Sequence, residues 1–339
     1  PSNVVGVATA QQVWVQGVPG SVTNAKNGLL IANDGAVTLA GGQIAQLGGI
    51  LSTTSTTRTG SIVLSTATGI PTASGDILLG ADSLTAILPD ESSGTLPTST
   101  LTSPTNANGA NNADYFKTVL QPKLTIQAFG GVDVQGHGAG LGGAFIKAPG
   151  AALSIGGDSV NGSVLLEAGS NIDVSGIAGV TLPMSVNQID ILVTQAEVAD
   201  TPLAASLIGK TVSIDARLTG TRADGLQWVG SPLLDASGYV GLIPQSIDQI
   251  LTVGGTFNAS AKNVVQMPGS SINVSAGYVQ YTGGVITTTR LLGSDGRLYN
   301  IGSANPDISY TVYNGFTVNH ERWGVTEIYA GLAGNGAHY

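Results

Sequence analysis

The 339-residue sequence predicts an all-β solenoid. Short strands would fold into stacked coils, with loop excursions and an aromatic-rich C-terminal segment. Three observations carry this expectation. The composition combines 49 glycines and only 10% charged residues with a positive mean hydropathy. A short apolar–polar–apolar triplet recurs along the chain. One octapeptide is nearly duplicated, as GSNIDVSG at 169–176 and GSSINVSA at 269–276.

The composition excludes several classes. Disorder needs low hydrophobicity with high charge, so the chain should fold. Abundant Gly, Ser, Thr, Val and Ile, with little Lys and Glu, favours strands and turns over helices. With 5% aromatics, the core must be mainly aliphatic. The net charge of −9 and twelve scattered basic residues argue against nucleic acid and anionic membrane surfaces as partners. Without cysteine, disulfide frameworks, zinc ribbons and thiol nucleophiles are excluded. No apolar run approaches the roughly 20 residues of a spanning helix. A start at Pro1 reads as a processed product or a fragment.

In chain order, GGQIAQLGGILSTTSTTRTGSIVL at 41–64 strings three strands together, and GDILLG at 75–80 adds another. Residues 89–114, rich in Pro, Ser, Thr and Asn, are expected as an exposed loop. The triplets come next: Val132-Asp133-Val134, Leu153-Ser154-Ile155, Ile172-Asp173-Val174, Ile214-Asp215-Ala216, Leu234-Asp235-Ala236, Phe257-Asn258-Ala259 and Ile272-Asn273-Val274. Their first residues are 21, 19, 42, 20, 23 and 15 apart by subtraction, so most gaps lie near 20. Within each triplet two apolar side chains share one face and the polar one takes the other. A single unit is too short to bury its apolar face. Coils stacked about 4.8 Å apart would bury a continuous aliphatic column. Residues 183–208 are expected as an insertion with a short helix, which would account for the doubled gap. From 278 onward six of the nine tyrosines gather, which predicts a cap, a hairpin or a contact surface.

The stretches at 41–64, GSVLLEAGSNIDVSG and NVVQMPGSSINVSAG resemble the repeats of filamentous-haemagglutinin-like proteins exported by two-partner secretion. The resemblance covers about residues 35–277 and rests on strand–glycine grammar; an NPNG-type secretion signature is not seen. It implies a right-handed parallel β-helix over 1–277, a departing segment over 278–339, and export through an outer-membrane transporter. It also implies an extracellular or bacterial cell-surface role as an adhesin shaft or filament subunit without catalysis. Self-association into a filament, continuation within a longer chain, or a host or cell-surface glycan or protein are the partners it suggests.

Candidate chemistry is sparse. Asp215 and Asp235 are 20 residues apart and would sit on neighbouring coils, with carboxylates about 5 Å apart. That pair is the basis of the alternative function, a polysaccharide depolymerase; with added oxygens it could form a Ca²⁺ site. The plainer expectation is an outward polar ladder, solvated or paired with Arg217. Three scattered histidines offer no transition-metal set, so no cofactor or metal is expected. His320, Glu321 and Arg322 read as a surface cluster. The glycines at 136–143 lack the Lys of a phosphate loop. Tyr310, Tyr313, Phe316, Trp323 and Tyr329 are the candidates for partner contact.

Overall fold

The computed structural model describes residues 11–66, 74–97, 120–136, 143–313, 315–330 and 337–338. Most of its regular structure is β, and the chain divides into two compact units. Unit 1 takes its described residues from 1–96, 101–180 and 245–279, and unit 2 from 97–100, 181–244 and 280–339.

Unit 1 is built from parallel strands in successive tiers, each feeding the same three rows. The first tier is β1 (Gln12–Asn24) and β2 (Leu29–Ala32), and the second is β3 (Ala36–Gln46) and β4 (Gly49–Thr54). In these two the long strand serves two rows. The third comprises β5 (Ser61–Thr66), β6 (Ile77–Leu79) and β7 (Leu84–Pro89), with the two-residue β8 (Leu96–Pro97) after it. The fourth is β9 (Lys123–Gln127), β10 (Val132–Val134) and β11 (Phe145–Lys147). The fifth is β12 (Ala152–Gly156), β13 (Ser163–Leu166) and β14 (Asn171–Asp173). The chain then enters unit 2 through β15 (Ala178–Pro183), β16 (Gln188–Leu192), β17 (Thr211–Asp215), β18 (Thr219–Thr221), β19 (Gln227–Val229) and β20 (Pro244–Gln245). It returns for a sixth tier, β21 (Thr256–Ser260), β22 (Asn263–Gln266) and β23 (Ser271–Asn273).

Apart from one shift between Gly17 and Ser21 where β1 pairs with β3, each row keeps a constant register. In the first row Val37 pairs with Ile62, Ile62 with Leu124, Leu124 with Leu153 and Leu153 with Phe257. In the second, Ile44, Ile77, Val132, Val164 and Val264 form one line. In the third the line is Leu30, Ile50, Thr85, Ile146, Ile172 and Ile272. Alternating burial in β3, β4 and β5 turns these lines inward. They form one aliphatic core, since a period of two places every second side chain on the same face. Two of the polar groups at the core are paired: Asn24 Nδ2 donates to Gln46 Oε1 at 2.8 Å, and Gln46 Nε2 to the Gly48 carbonyl at 2.9 Å.

The duplicated octapeptide finds its explanation here. Ile172 pairs with Ile272 and Asp173 with Asn273, so the two copies lie side by side although 100 residues separate them (272 − 172 = 100). Gly169 and Gly269 both take a positive φ, 92° and 89°, at the corner before the strand, where glycine is favoured. Ser175 and Ser275 hydroxyls donate to Asp173 and Asn273 Oδ1 at 2.6 and 2.8 Å.

The near-20 spacing is not the tier period. Val132, Leu153 and Ile172 lie on β10, β12 and β14, one in each row, so that spacing steps between rows. Paired positions give tier lengths of 24 (36 − 12), 25 (61 − 36) and 29 (152 − 123) residues. They give 62 (123 − 61) and 104 (256 − 152) where the chain makes an excursion. The expected loop at 89–114 falls in the first of these excursions; its residues 98–114 lie outside the described set.

Unit 2 is antiparallel. β16 pairs with β17, and β18 with β19. Later strands are β24 (Tyr278–Thr282), β25 (Val285–Ile286), β26 (Arg290–Gly293), β27 (Leu298–Asn300), β28 (Tyr310–Val312), β29 (Gly315–His320), β30 (Val325–Ala330) and β31 (Ala337–His338). β26 pairs with both β27 and β28, and β29 forms a hairpin with β30. A second core gathers Ile191, Leu207, Val212, Ile214, Leu234, Leu291, Ile301 and Tyr310. The expected division at 277/278 differs from this arrangement: residues within 189–239 share the second core with residues within 291–312, because their apolar faces close on each other. The insertion expected near 183–208 is longer, and its helical content is the 3-10 turns Met184–Asn187 and Pro202–Leu207 and the four-residue α-helix Ser237–Val240.

Candidate functional site

Asp215 and Asp235 are not neighbouring rungs. Asp215 ends β17, whose partner β16 is antiparallel and places Gln188 opposite it. The triplet fits this strand because it demands only one buried face, which an antiparallel hairpin also supplies. Asp215 is 2% exposed and its carboxylate is fully engaged by Arg217, whose Nε and Nη2 donate to Oδ1 and Oδ2 at 3.0 and 2.6 Å. The Arg217 backbone N–H adds a third bond to Oδ1 at 3.0 Å. Asp235 instead lies exposed in the turn after β19. It accepts the Ser237 N–H at 2.9 Å, and bonds from the Ser237 hydroxyl and backbone hold its carboxyl below the usual range.

The aromatic candidates also separate. Tyr310 is buried, so it is a core residue and not a contact residue. Its hydroxyl donates to the Asn305 carbonyl at 2.9 Å, and its ring meets Tyr299 edge-on, with centroids 5.4 Å apart. Tyr313 is half-buried beyond β28. Trp323, 70% exposed at the tip between β29 and β30, stacks its ring 5.3 Å from that of His320. Phe316 and Tyr329 pair across the hairpin by their backbones, and their side chains lie outside the described set. His137 and the 137–142 glycines lie outside it as well.

Two groupings have no counterpart in the sequence pattern. In unit 1 a cleft of about 510 Å³ is lined by Leu88, Pro89, Glu91, Lys147, Asp173 and Asp248, among others. Lys147 and Asp173 occupy paired positions on β11 and β14. Asp248 sits in the four-residue helix Ile247–Ile250, started by the reciprocal capping of Ser246 and Gln249. Burial first, and then the negative charge of Glu91, raise the Asp248 carboxyl above its ordinary value. Its Oδ1 is buried without a partner among the described residues. A carboxyl that keeps its proton longer beside another carboxylate has the makings of an acid–base couple. In unit 2, Asp235 lies in a smaller pocket with Glu197, Arg222 and Trp228. No sequence signal joins either set, because key members are far apart in the chain. Glu91 and Asp248 are separated by 157 residues (248 − 91 = 157), and Glu197 and Asp235 by 38 (235 − 197 = 38). The S-x-x-Q cap at 246–249 is readable as a helix start.

Among the described residues no group of three or more His, Cys, Asp or Glu is placed to hold a metal ion, and no helix is long and apolar enough to cross a membrane. No family model, curated protein or solved structure matches the chain.

Proposed function

We propose that unit 1 is a right-handed parallel β-helix and that the protein acts outside the cell as a structural and adhesive element, a shaft or filament subunit exported through an outer-membrane transporter. One observation carries this reading: a register of parallel strands that runs from the second tier to the sixth and ends in an open edge. Among the described residues β21, β22 and β23 each pair on one side only. The inward residues of that last tier are covered less than those one tier earlier. Val264 and Val274 are 49% and 44% exposed, against 0% for Val164 and Val174 one tier earlier. Unpaired parallel edges over an exposed aliphatic face favour addition of further strands. The right hand accords with the general preference of parallel crossovers in twisted sheets. The depolymerase alternative through Asp215 and Asp235 gains nothing from the geometry, since Arg217 engages both oxygens of Asp215.

Sedimentation velocity over a concentration series, with electron microscopy, tests the proposal. The full chain should form end-to-end species as concentration rises. Val264→Lys, which places a charge in the open face, should remain monodisperse. A wild-type chain that stays a compact single species throughout overturns the filament reading.

A further inference from the structure

We infer that the unit 2 pocket beside Trp228 binds a single neutral sugar ring of a glycan. This supplies a ligand class for the adhesive part of the reading above, but it rests on unit 2 alone and holds whether or not unit 1 forms filaments. The pocket encloses about 250 Å³, below the span usual for drug-sized ligands and suited to one ring.

Its aromatic wall is set by backbone pairing. Trp228 on β19 stands opposite Gly220 on β18. A Cβ at Gly220 would lie 2.5, 2.7 and 2.9 Å from indole Cζ2, Cε2 and Nε1. The indole therefore rests directly on the glycine backbone, and only glycine leaves it there. A flat indole wall packs against the apolar C–H face of a pyranose.

The polar groups around it are held for accepting and donating hydrogen bonds. Glu197 Oε2 receives the Thr194 N–H and hydroxyl at 2.7 and 2.5 Å, and these bonds, the hydroxyl's foremost, lower its carboxyl below the usual range. Asp235 is lowered in the same direction by Ser237. Both carboxylates are thus ionised acceptors for sugar hydroxyls. Gln227 brings an amide with donors and an acceptor. Arg222, 12% exposed, is locked by bonds to the Asp200 carbonyl at 3.1 Å, Thr201 Oγ1 at 3.0 Å and Asp224 at 2.6 Å. Its Nε is buried with no partner among the described residues. An apolar wall with ionised acceptors and fixed donors is the complement of a ring carrying hydroxyls on its rim and C–H groups on its face.

The chain has three tryptophans, and Trp14 and Trp323 are exposed. The double variant Trp14→Phe/Trp323→Phe leaves Trp228 as the sole reporter. It is titrated, as the full chain, with methyl glucoside, methyl galactoside and N-acetylglucosamine in the millimolar range, with protonated glucosamine as the cationic control. The expected result is a saturable fluorescence change for at least one neutral sugar. Calorimetry on the otherwise unaltered chain should show that sugar bound roughly tenfold more weakly by Trp228→Ala and by the exposed Asp235→Ala. Gly220→Ala, which displaces the ring without removing it, should weaken binding as well. No saturable response to any neutral sugar overturns the proposal, as does equal binding by Asp235→Ala with unchanged circular dichroism. A stronger response to glucosamine than to all neutral sugars overturns it in favour of a cation site.

Discussion

Units 1 and 2 use the same short strands and the same aliphatic residues, yet one pairs them parallel and in register and the other antiparallel. The triplet shows why one grammar serves both. Asp173 and Asn273 in unit 1 accept the backbone N–H two residues on at 3.1 and 3.2 Å. Asp215 and Asp235 in unit 2 do the same at 3.0 and 2.9 Å. The polar residue thus ends its segment with a local side-chain turn in either setting, and the flanking apolar residues bury one face. Neither feature states the direction of the neighbouring strand. That direction is set by the path the chain takes after the turn.

Asp235 keeps a serine two positions on, Ser237, whereas the residue at that place separates Asp173 from Asp215 energetically. In unit 1 it is Ser175, whose hydroxyl adds one bond to Asp173 near the surface. In unit 2 it is Arg217, neutralising a buried Asp215. Arg217→Ala should therefore cost unit 2 about 3 kcal/mol, because a buried charge loses its partner. Ser175→Ala should cost unit 1 about 1 kcal/mol or less. Hydrogen exchange resolved to β16–β17 and to β14 peptides measures both. Asp215→Asn added to Arg217→Ala should recover part of the loss. Equal effects from the two single substitutions would show that the ion pair matters no more than the surface turn.

The second comparison lies within unit 1, between identical residues in adjacent tiers. Ile172 is fully buried, whereas Ile272, its register partner, is only partly covered because no described strand pairs with the far side of β23. Ile172→Ala should cost about 3 kcal/mol and Ile272→Ala about 1 kcal/mol, since the cavity term needs surrounding atoms on every side. Denaturant unfolding of each variant checks the ratio. Comparable losses would mean that the last tier is covered in solution, as by association with another molecule.

The range of each physical signal decides how much of this is legible in the residues. Alternation, glycine corners and aliphatic composition mark β3 to β6, β10, β12 to β14 and β21 to β23 as half-buried strands, since those features act over a few residues. The partnership of 169–176 with 269–276 is visible as duplication, but its meaning as adjacency depends on the chain leaving for unit 2 and returning. The near-20 spacing misleads because row-to-row steps, not tier-to-tier steps, separate Val132, Leu153 and Ile172. Spacing also gives Asp235 the wrong companion: its neighbours in space are Glu197, Arg222 and Trp228, and Asp215 is bound to Arg217. Tyr310 looks like a surface residue in the sequence because tyrosine clustering does not reveal which ring, here paired to Tyr299, turns inward.

The smallest expected effect concerns the unit 1 cleft, where Asp248 Oδ1 has no partner among the described residues, in contrast to the two oxygens of Asp215. Burial and Glu91 raise the folded-state Asp248 above its ordinary value of 3.8. Between that value and the raised one, the folded chain holds more protons than the unfolded chain, so stability falls as pH rises through the interval. Below 3.8 both states are protonated and the penalty is absent; above the raised value it is fully present. Asp248→Asn should accordingly leave stability at low pH unchanged and give a small gain at neutral pH, read as a higher thermal midpoint. Glu91→Gln should recover less of it, because burial is the larger cause and remains. If Asp248→Asn instead lowers the neutral-pH midpoint, the carboxylate is doing something the unpartnered Oδ1 does not show, and the cleft would have to be read as holding a cationic group against it.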